Sequence, residues 1–124
     1  MHMLGTPQNM QKNPVYENVT TEIISFFAAQ IQQLHQLKLN DVLIDVGFGF
    51  GKTIAHNFEL LKNLALFKSL EVPILTGISR KSMLYKTLDI SAKEALNATT
   101  SANTIALLNG ANILRVHDVK EAVE

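Results

Sequence analysis

The sequence predicts an α/β fold in which short parallel strands alternate with helices, and three observations lead there. Apolar runs at positions 41–47, 72–79 and 111–119 each stop at glycine or at a polar cluster, as strands buried on both faces do. Between them lie longer stretches whose apolar residues recur at steps of three and four, the helical period. The resulting order of helix, strand, helix, strand, helix, strand implies right-handed crossovers and a parallel sheet.

Taken in order, positions 1–16 read as the end of one element followed by a loop, because Gly5, Pro7, Asn13 and Pro14 all break regular structure. From 17 to about 39, Val19, Ile23, Phe26, Phe27, Ile31, Leu34 and Leu37 make one face of an amphipathic helix. "DVLIDVG" then forms the first strand. A second helix follows the glycine loop, with Leu60, Leu61, Leu64, Phe67 and Leu70 as its apolar face. "VPILTGIS" is the second strand, with Pro73 near its start, where a missing N–H is tolerated. "SAKE" is a capping box in which Ser91 caps and Glu94 reaches back. The third long helix runs from it to about Asn109, with Gly110 as its stop. "ANILRVHDV" is the third strand. There is no internal repeat, low-complexity tract or linker, so residues 1–124 read as one domain.

Composition narrows the function classes. Apolar residues make up 47% of the 124, which is globular. Eleven basic residues balance eleven acidic ones, which argues against a broad nucleic-acid surface. Without cysteine there is neither a disulfide framework nor a thiolate metal site. No apolar run approaches the roughly 18 residues of a membrane span, and "MHMLGTPQNM" lacks the charged and apolar regions of a signal peptide. The expectation is a soluble, cytoplasmic protein acting on small molecules.

The stretch "DVGFGFGKT" invites a phosphate-loop reading and fails it. With Gly51, Lys52 and Thr53 in place, that pattern needs glycine at 46, where Val46 stands. The dinucleotide pattern needs glycine at 52 and finds lysine.

The polar residues collect at strand ends instead. Asp45 closes the first strand; Ser79, Arg80, Lys81 and Ser82 follow the second; Arg115, His117 and Asp118 end the third. In parallel α/β folds the carboxyl ends of strands share one rim, so an acid, two or three cations and a histidine should converge there. Such a rim suits an anionic ligand that also carries donors for a carboxylate. Ser82 falls near a helix N-terminus, and Arg115 and His117 alternate onto one side, which fits a phosphate or diphosphate. The remaining polar residues have plainer readings. His35 and His56 are surface or capping residues, and His2 belongs to a loop. Lys52 is solvated, as are Lys12, Lys62, Lys68 and Lys93. Met10 and Met83 are packing residues.

Four stretches, "MHMLGTPQNMQ", "DVGFGFGKT", "GISRKSM" and "ILRVHDVKEAV", together resemble the C-terminal half of the dihydropteroate synthase family, in that family's order and spacing. The resemblance implies a partial (β/α)8 barrel. It also implies condensation of 4-aminobenzoate with 6-hydroxymethyl-7,8-dihydropterin diphosphate to 7,8-dihydropteroate, assisted by Mg2+. It assigns Lys81, Arg115 and His117 to catalysis. Met1, Asp45, Gly77, Lys81 and Arg115 would contact the pterin; Phe50, Lys81 and Ser82 the aminobenzoate; Arg115 and His117 the diphosphate. Two features depart from the family. Val46 stands where proline is usual and is expected to loosen the placement of Asp45 and Phe50. The length is about half of the roughly 250 residues of such a barrel, so the N-terminal half, with the asparagine linked to Mg2+, is expected to be absent. The full-length family implies a homodimer. The competing readings are a pterin-barrel methyltransferase, which has no diphosphate to hold, and a non-catalytic half-barrel that partners a complete synthase.

Overall fold

Asn18 starts the first helix. The computed structural model describes all residues from Met1 to Glu124, and in it helix α1 spans Val19–Gln36. The Asn18 side chain accepts a hydrogen bond from the Thr21 N–H, and the Glu22 carboxylate accepts one from the Asn18 N–H. Two of the donors that a helix start leaves unpaired are thereby satisfied. At the other end Lys38 takes a left-handed conformation (φ 62°) and the Leu39 N–H turns back to Leu34 O. The helix is therefore shorter at both ends than its apolar pattern predicts, and Leu37 is exposed rather than facing the core.

Strand β1 (Ile44–Asp45), β2 (Ile74–Thr76) and β3 (Ile113–Leu114) form one parallel sheet in that order. Ile44 pairs with Ile74, Asp45 with Leu75, Leu75 with Ile113 and Thr76 with Leu114. The strands are much shorter than the apolar runs predict. Hydrogen-bonded pairing, not hydrophobicity, sets their length, and β1 and β3 are each paired within the sheet on one side only. The chain start lies along the free side of β1, where the His2 N–H donates to Asp45 O at 3.0 Å.

The second helical region also differs from expectation. Helix α2 covers only Ile54–Lys62, and Leu64–Leu70 continues as a 3-10 helix. The apolar spacing gives the reason. Leu61, Leu64, Phe67 and Leu70 recur at three, the 3-10 period, so that winding keeps all four turned inward. The Ser91–Glu94 capping box is present, but it caps a 3-10 turn at Ala92–Glu94. After the short helix α3 (Ser82–Tyr85), helix α4 runs over Leu96–Leu108, with Asn109 as its cap and Gly110 at φ 102° beyond it. Helix α5 (Val119–Val123) was not part of the sequence expectation.

Helices cover one face of the sheet. Ile44, Val46, Ile74 and Ile78 pack there against Val19, Ile23 and Phe27 of α1, Leu60 and Leu61 of α2, Phe67, and Ala102 and Ala106 of α4. Each large apolar side chain buried in this way is worth about 1.5–3 kcal/mol. Leu43 and Ile113 lie on the opposite face and are 48% and 40% exposed. The architecture is that of a partial (β/α)8 barrel: parallel strands, an outer helical layer, and an inner face open to solvent.

Candidate functional site

The inner face carries the chemistry. Residues paired across a parallel sheet point to the same side, so Asp45, Leu75 and Ile113 form one row, and Gly77 and Arg115 lie two residues further along β2 and β3. Asp45 is 8% exposed. Its Oδ1 accepts from the Gly47 N–H at 2.9 Å, and its Oδ2 lies 3.5 Å from Arg115 Nη2. A Cβ at Gly77 would stand 2.7 Å from Arg115 Nη2, so only glycine leaves the guanidinium its place over the strand.

Lys81, in the turn after β2, extends its ammonium over the Phe50 ring at 4.4 Å from the centroid, a cation–π contact. Burial, then the neighbouring Arg115 charge, lowers the Lys81 pKa, with Asp45 acting in the opposite direction. Ser79 is buried. Its hydroxyl accepts from the His117 N–H at 3.2 Å and lies 3.0 Å from His117 Nδ1, which fixes that imidazole against the strand end. Gly77, Ser79, Lys81, Arg115, Val116 and His117 line a cavity of about 240 Å3 between these groups. Met1 sits beside Asp45 through the His2 contact and is exposed. Ser82 is the first residue of α3, next to Lys81, and does not line the cavity. A larger hollow of about 520 Å3, lined by Phe58, Leu61, Leu84, Leu88, Ala98 and Ile105 among others, opens on the outer side between α2, α3 and α4. It contains none of the strand-end cations.

Two residues do not join the rim as expected. Arg80, at φ 53°, turns outward and grips Asp118 with two hydrogen bonds of 2.8 Å, while its Nη1 donates to Ala92 O. That pair ties the turn after β2 to the start of α5, and the Arg80 hydrogen bond holds the Asp118 carboxyl below its ordinary range. Sequence placed Arg80 and Asp118 at the strand ends correctly, but strand-end position does not say which way a side chain turns.

The larger correction is Lys52, which is 3% exposed rather than solvated. Its ammonium donates to Gly47 O at 2.8 Å and Phe50 O at 2.9 Å, and lies 3.1 Å from His2 Nδ1. Burial lowers its pKa to about 8. His2, expected as an ordinary loop residue, is buried beside it. Burial and the Lys52 charge push the imidazole down to about 4, so it stays neutral and accepts. Asn57 completes this unforeseen set of loop contacts: its Oδ1 accepts from the Gly49 N–H and its Nδ2 donates to Thr53 O. No sequence pattern singles out these partners. His56 does cap, accepting from the Thr53 N–H, and Met83 does pack in the core. Val46, at 0% exposure, is a core residue, and Asp45 next to it remains held from two sides.

No three His, Cys, Asp or Glu side chains meet in an arrangement that could hold a metal ion. Asp45 Oδ1 accepts from the Gly47 N–H, while Oδ2 has only the ion pair with Arg115 at 3.5 Å. A Mg2+ ion at this rim would therefore be held through one carboxylate and substrate phosphates rather than by a cage of side chains from this chain. No helix is long and apolar enough to cross a membrane.

Comparison with known proteins places this rim in context. The family model described as pterin binding enzyme matches residues 1–117. The dihydropteroate synthase of Escherichia coli strain K12 is 44% identical over 100% of this chain and 45% of its own length. A crystal structure of the Yersinia pestis dihydropteroate synthase with a sulfonamide drug superposes with a TM-score of 0.95 at 41% identity, over 98% of this chain and 45% of that one. The Thermus thermophilus enzyme in complex with 4-aminobenzoate superposes with a TM-score of 0.93 at 31% identity, over 98% of this chain and 51% of that one. The chain thus spans about half the length of the relatives it matches.

Proposed function

The chain belongs to the pterin binding enzyme family, and from that premise we propose that it supplies one side of a dihydropteroate synthase active site. The assembled enzyme would condense 4-aminobenzoate with 6-hydroxymethyl-7,8-dihydropterin diphosphate. The observation that carries the reading is the gathering of Lys81, Arg115 and His117 around one small cavity, with Asp45 paired to Arg115 beside it and Phe50 beneath Lys81.

Each group fits a part of that chemistry. A carboxylate accepts hydrogen bonds only, so Asp45 suits the donor-rich edge of a pterin. Arg115 and His117 suit the diphosphate, which leaves with the electron pair of the methylene carbon–oxygen bond. Lys81 donates toward the pterin's acceptors, and Phe50 offers an apolar surface to the ring of 4-aminobenzoate. The neutral arylamine attacks the methylene carbon and forms the carbon–nitrogen bond; its proton passes to water or to the departing anion. Positioning and charge stabilisation carry the rate, with no strong general base required. The cationic rim favours an anionic leaving group and thus the synthase reading over methyl transfer.

The test is dihydropteroate formation from labelled 4-aminobenzoate and the pterin diphosphate in the presence of Mg2+. It is run with this chain alone and with the chain co-expressed with the complementary barrel segment of a related synthase, with a sulfonamide as competitor of 4-aminobenzoate. Sulfonamide-sensitive product in the co-expressed sample supports the reading. A folded assembly without product refutes it.

A further inference from the structure

The glycine loop between β1 and α2 has no strand or helix to hold it. Gly47, Gly49 and Gly51 all take positive φ (74°, 84° and 65°), and its backbone groups bond mainly to side chains. Tyr16 donates to Gly51 O, Gln11 to Gly49 O, and Asn57 accepts from Gly49 N–H. Lys52 is as deeply buried as Asn57 and is the one charged anchor among them. An ammonium has three N–H groups, and this one faces three acceptors: Gly47 O, Phe50 O and the neutral His2 Nδ1. Two of them are the residues whose placement the site depends on. The Gly47 N–H holds the Asp45 carboxylate, and Phe50 carries the ring beneath Lys81.

We infer that Lys52 is a positioning residue which, with His2, clamps the 47–50 turn from inside and so sets Phe50 and Asp45 for the substrates. This rests on the synthase reading for the identity of the substrates, but the clamp itself does not. Lys52 does not line the cavity, and its hydrogen bonds go to Gly47 O, Phe50 O and His2 rather than to any lining side chain; it acts through the backbone of others. A buried methylene chain without the ammonium would leave Phe50 O and the imidazole without a donor and Gly47 O with only the Phe50 N–H at 3.1 Å, and the turn would open to water.

The chain has no cysteine, so Lys52→Cys introduces a unique thiol. Alkylated while unfolded with bromoethylamine it regains an ammonium at nearly the length of lysine; alkylated with iodoacetamide it carries a neutral amide. Both forms, K52M and wild type are refolded and checked by circular dichroism. The amides of Gly47, Gly49 and Phe50 are then followed by hydrogen exchange. In K52M and the amide form they should exchange at least about tenfold faster, with α1 and α4 unchanged, whereas the aminoethyl form should match wild type. The milder His2→Ala, which removes one of three acceptors, should give an intermediate rate. In the active assembly K52M should raise KM for 4-aminobenzoate about tenfold and change kcat less than about threefold, since Arg115 and His117 are not anchored to the loop. Unchanged loop exchange in K52M overturns the inference, as does equal protection of the two alkylated forms. The exchange comparison uses no substrate. A wild-type assembly that makes no dihydropteroate therefore overturns the synthase reading alone, while the loop result still decides the role of Lys52.

Discussion

Gly77→Ala separates site chemistry from stability more cleanly than any other single change. The added methyl would lie 2.7 Å from Arg115 Nη2, 3.0 Å from Nε and 3.2 Å from Cζ. Gly77 is not among the glycines at positive φ, so alanine fits the backbone, and the conflict falls on the far end of a long side chain. The Arg115 side chain is 56% exposed and free to swing outward. What stability loses is an ion pair at 3.5 Å with one solvated partner, worth about 0–1 kcal/mol. The melting temperature should therefore fall by less than about 5 °C. Under the proposed synthase reading the reaction loses a cation aimed at the leaving group, a preorganised contact worth about 2.7–4 kcal/mol, so kcat/KM in the co-expressed assembly should fall about 100- to 1000-fold. Arg115→Ala should cost the same, and the double variant no more than either alone, because both remove one interaction. Additive losses in the double variant would refute the mechanism, and so would a G77A protein that melts far lower. In either case Gly77 would be serving something other than room for Arg115.

Further outcomes follow from the same geometry. Phe67 is fully buried and packs edge-on to Phe27 with ring centroids 6.4 Å apart; Phe67→Ala should cost about 3–5 kcal/mol in urea unfolding. Ser79→Ala removes the hydroxyl that holds His117, and should weaken diphosphate affinity about 3- to 10-fold by calorimetry, the value of one hydrogen bond. His2 titrates at about 4 when folded against 6.5 unfolded. The unfolded chain thus binds a proton that the folded one refuses. The stability involved is fully present above pH 6.5 and is lost as pH falls toward 4, by about 3 kcal/mol at most. Urea midpoints measured from pH 7 to 4 should show this slope, and His2→Gln should flatten it.

Much of this could be read from residue order because it depends on local pattern. Period two against period three or four separates strand from helix, and strand ends in a parallel sheet share a rim whatever the loops do. Asp45, Lys81, Arg115 and His117 were therefore legible as a group, and the Ser91–Glu94 box as a cap. Element lengths were less legible. The 3-10 stretch at Leu64–Leu70 was visible in its spacing of three, but only beside the core that it had to reach. Strand ends were set by pairing partners, which an apolar run does not encode.

By itself, then, the sequence determined the alternation of strands and helices, most of the face that the first two helices bury and the identity of the polar residues at the strand ends. The tertiary structure alone decided the direction of each charge. Arg80 and Lys52 are both cations next to strand-end loops. One turns out to Asp118; the other is drawn inside by two carbonyls and a histidine from the chain start, 50 residues away in sequence. A buried ammonium is stable only where acceptors surround it, and those acceptors come together only once the chain has folded.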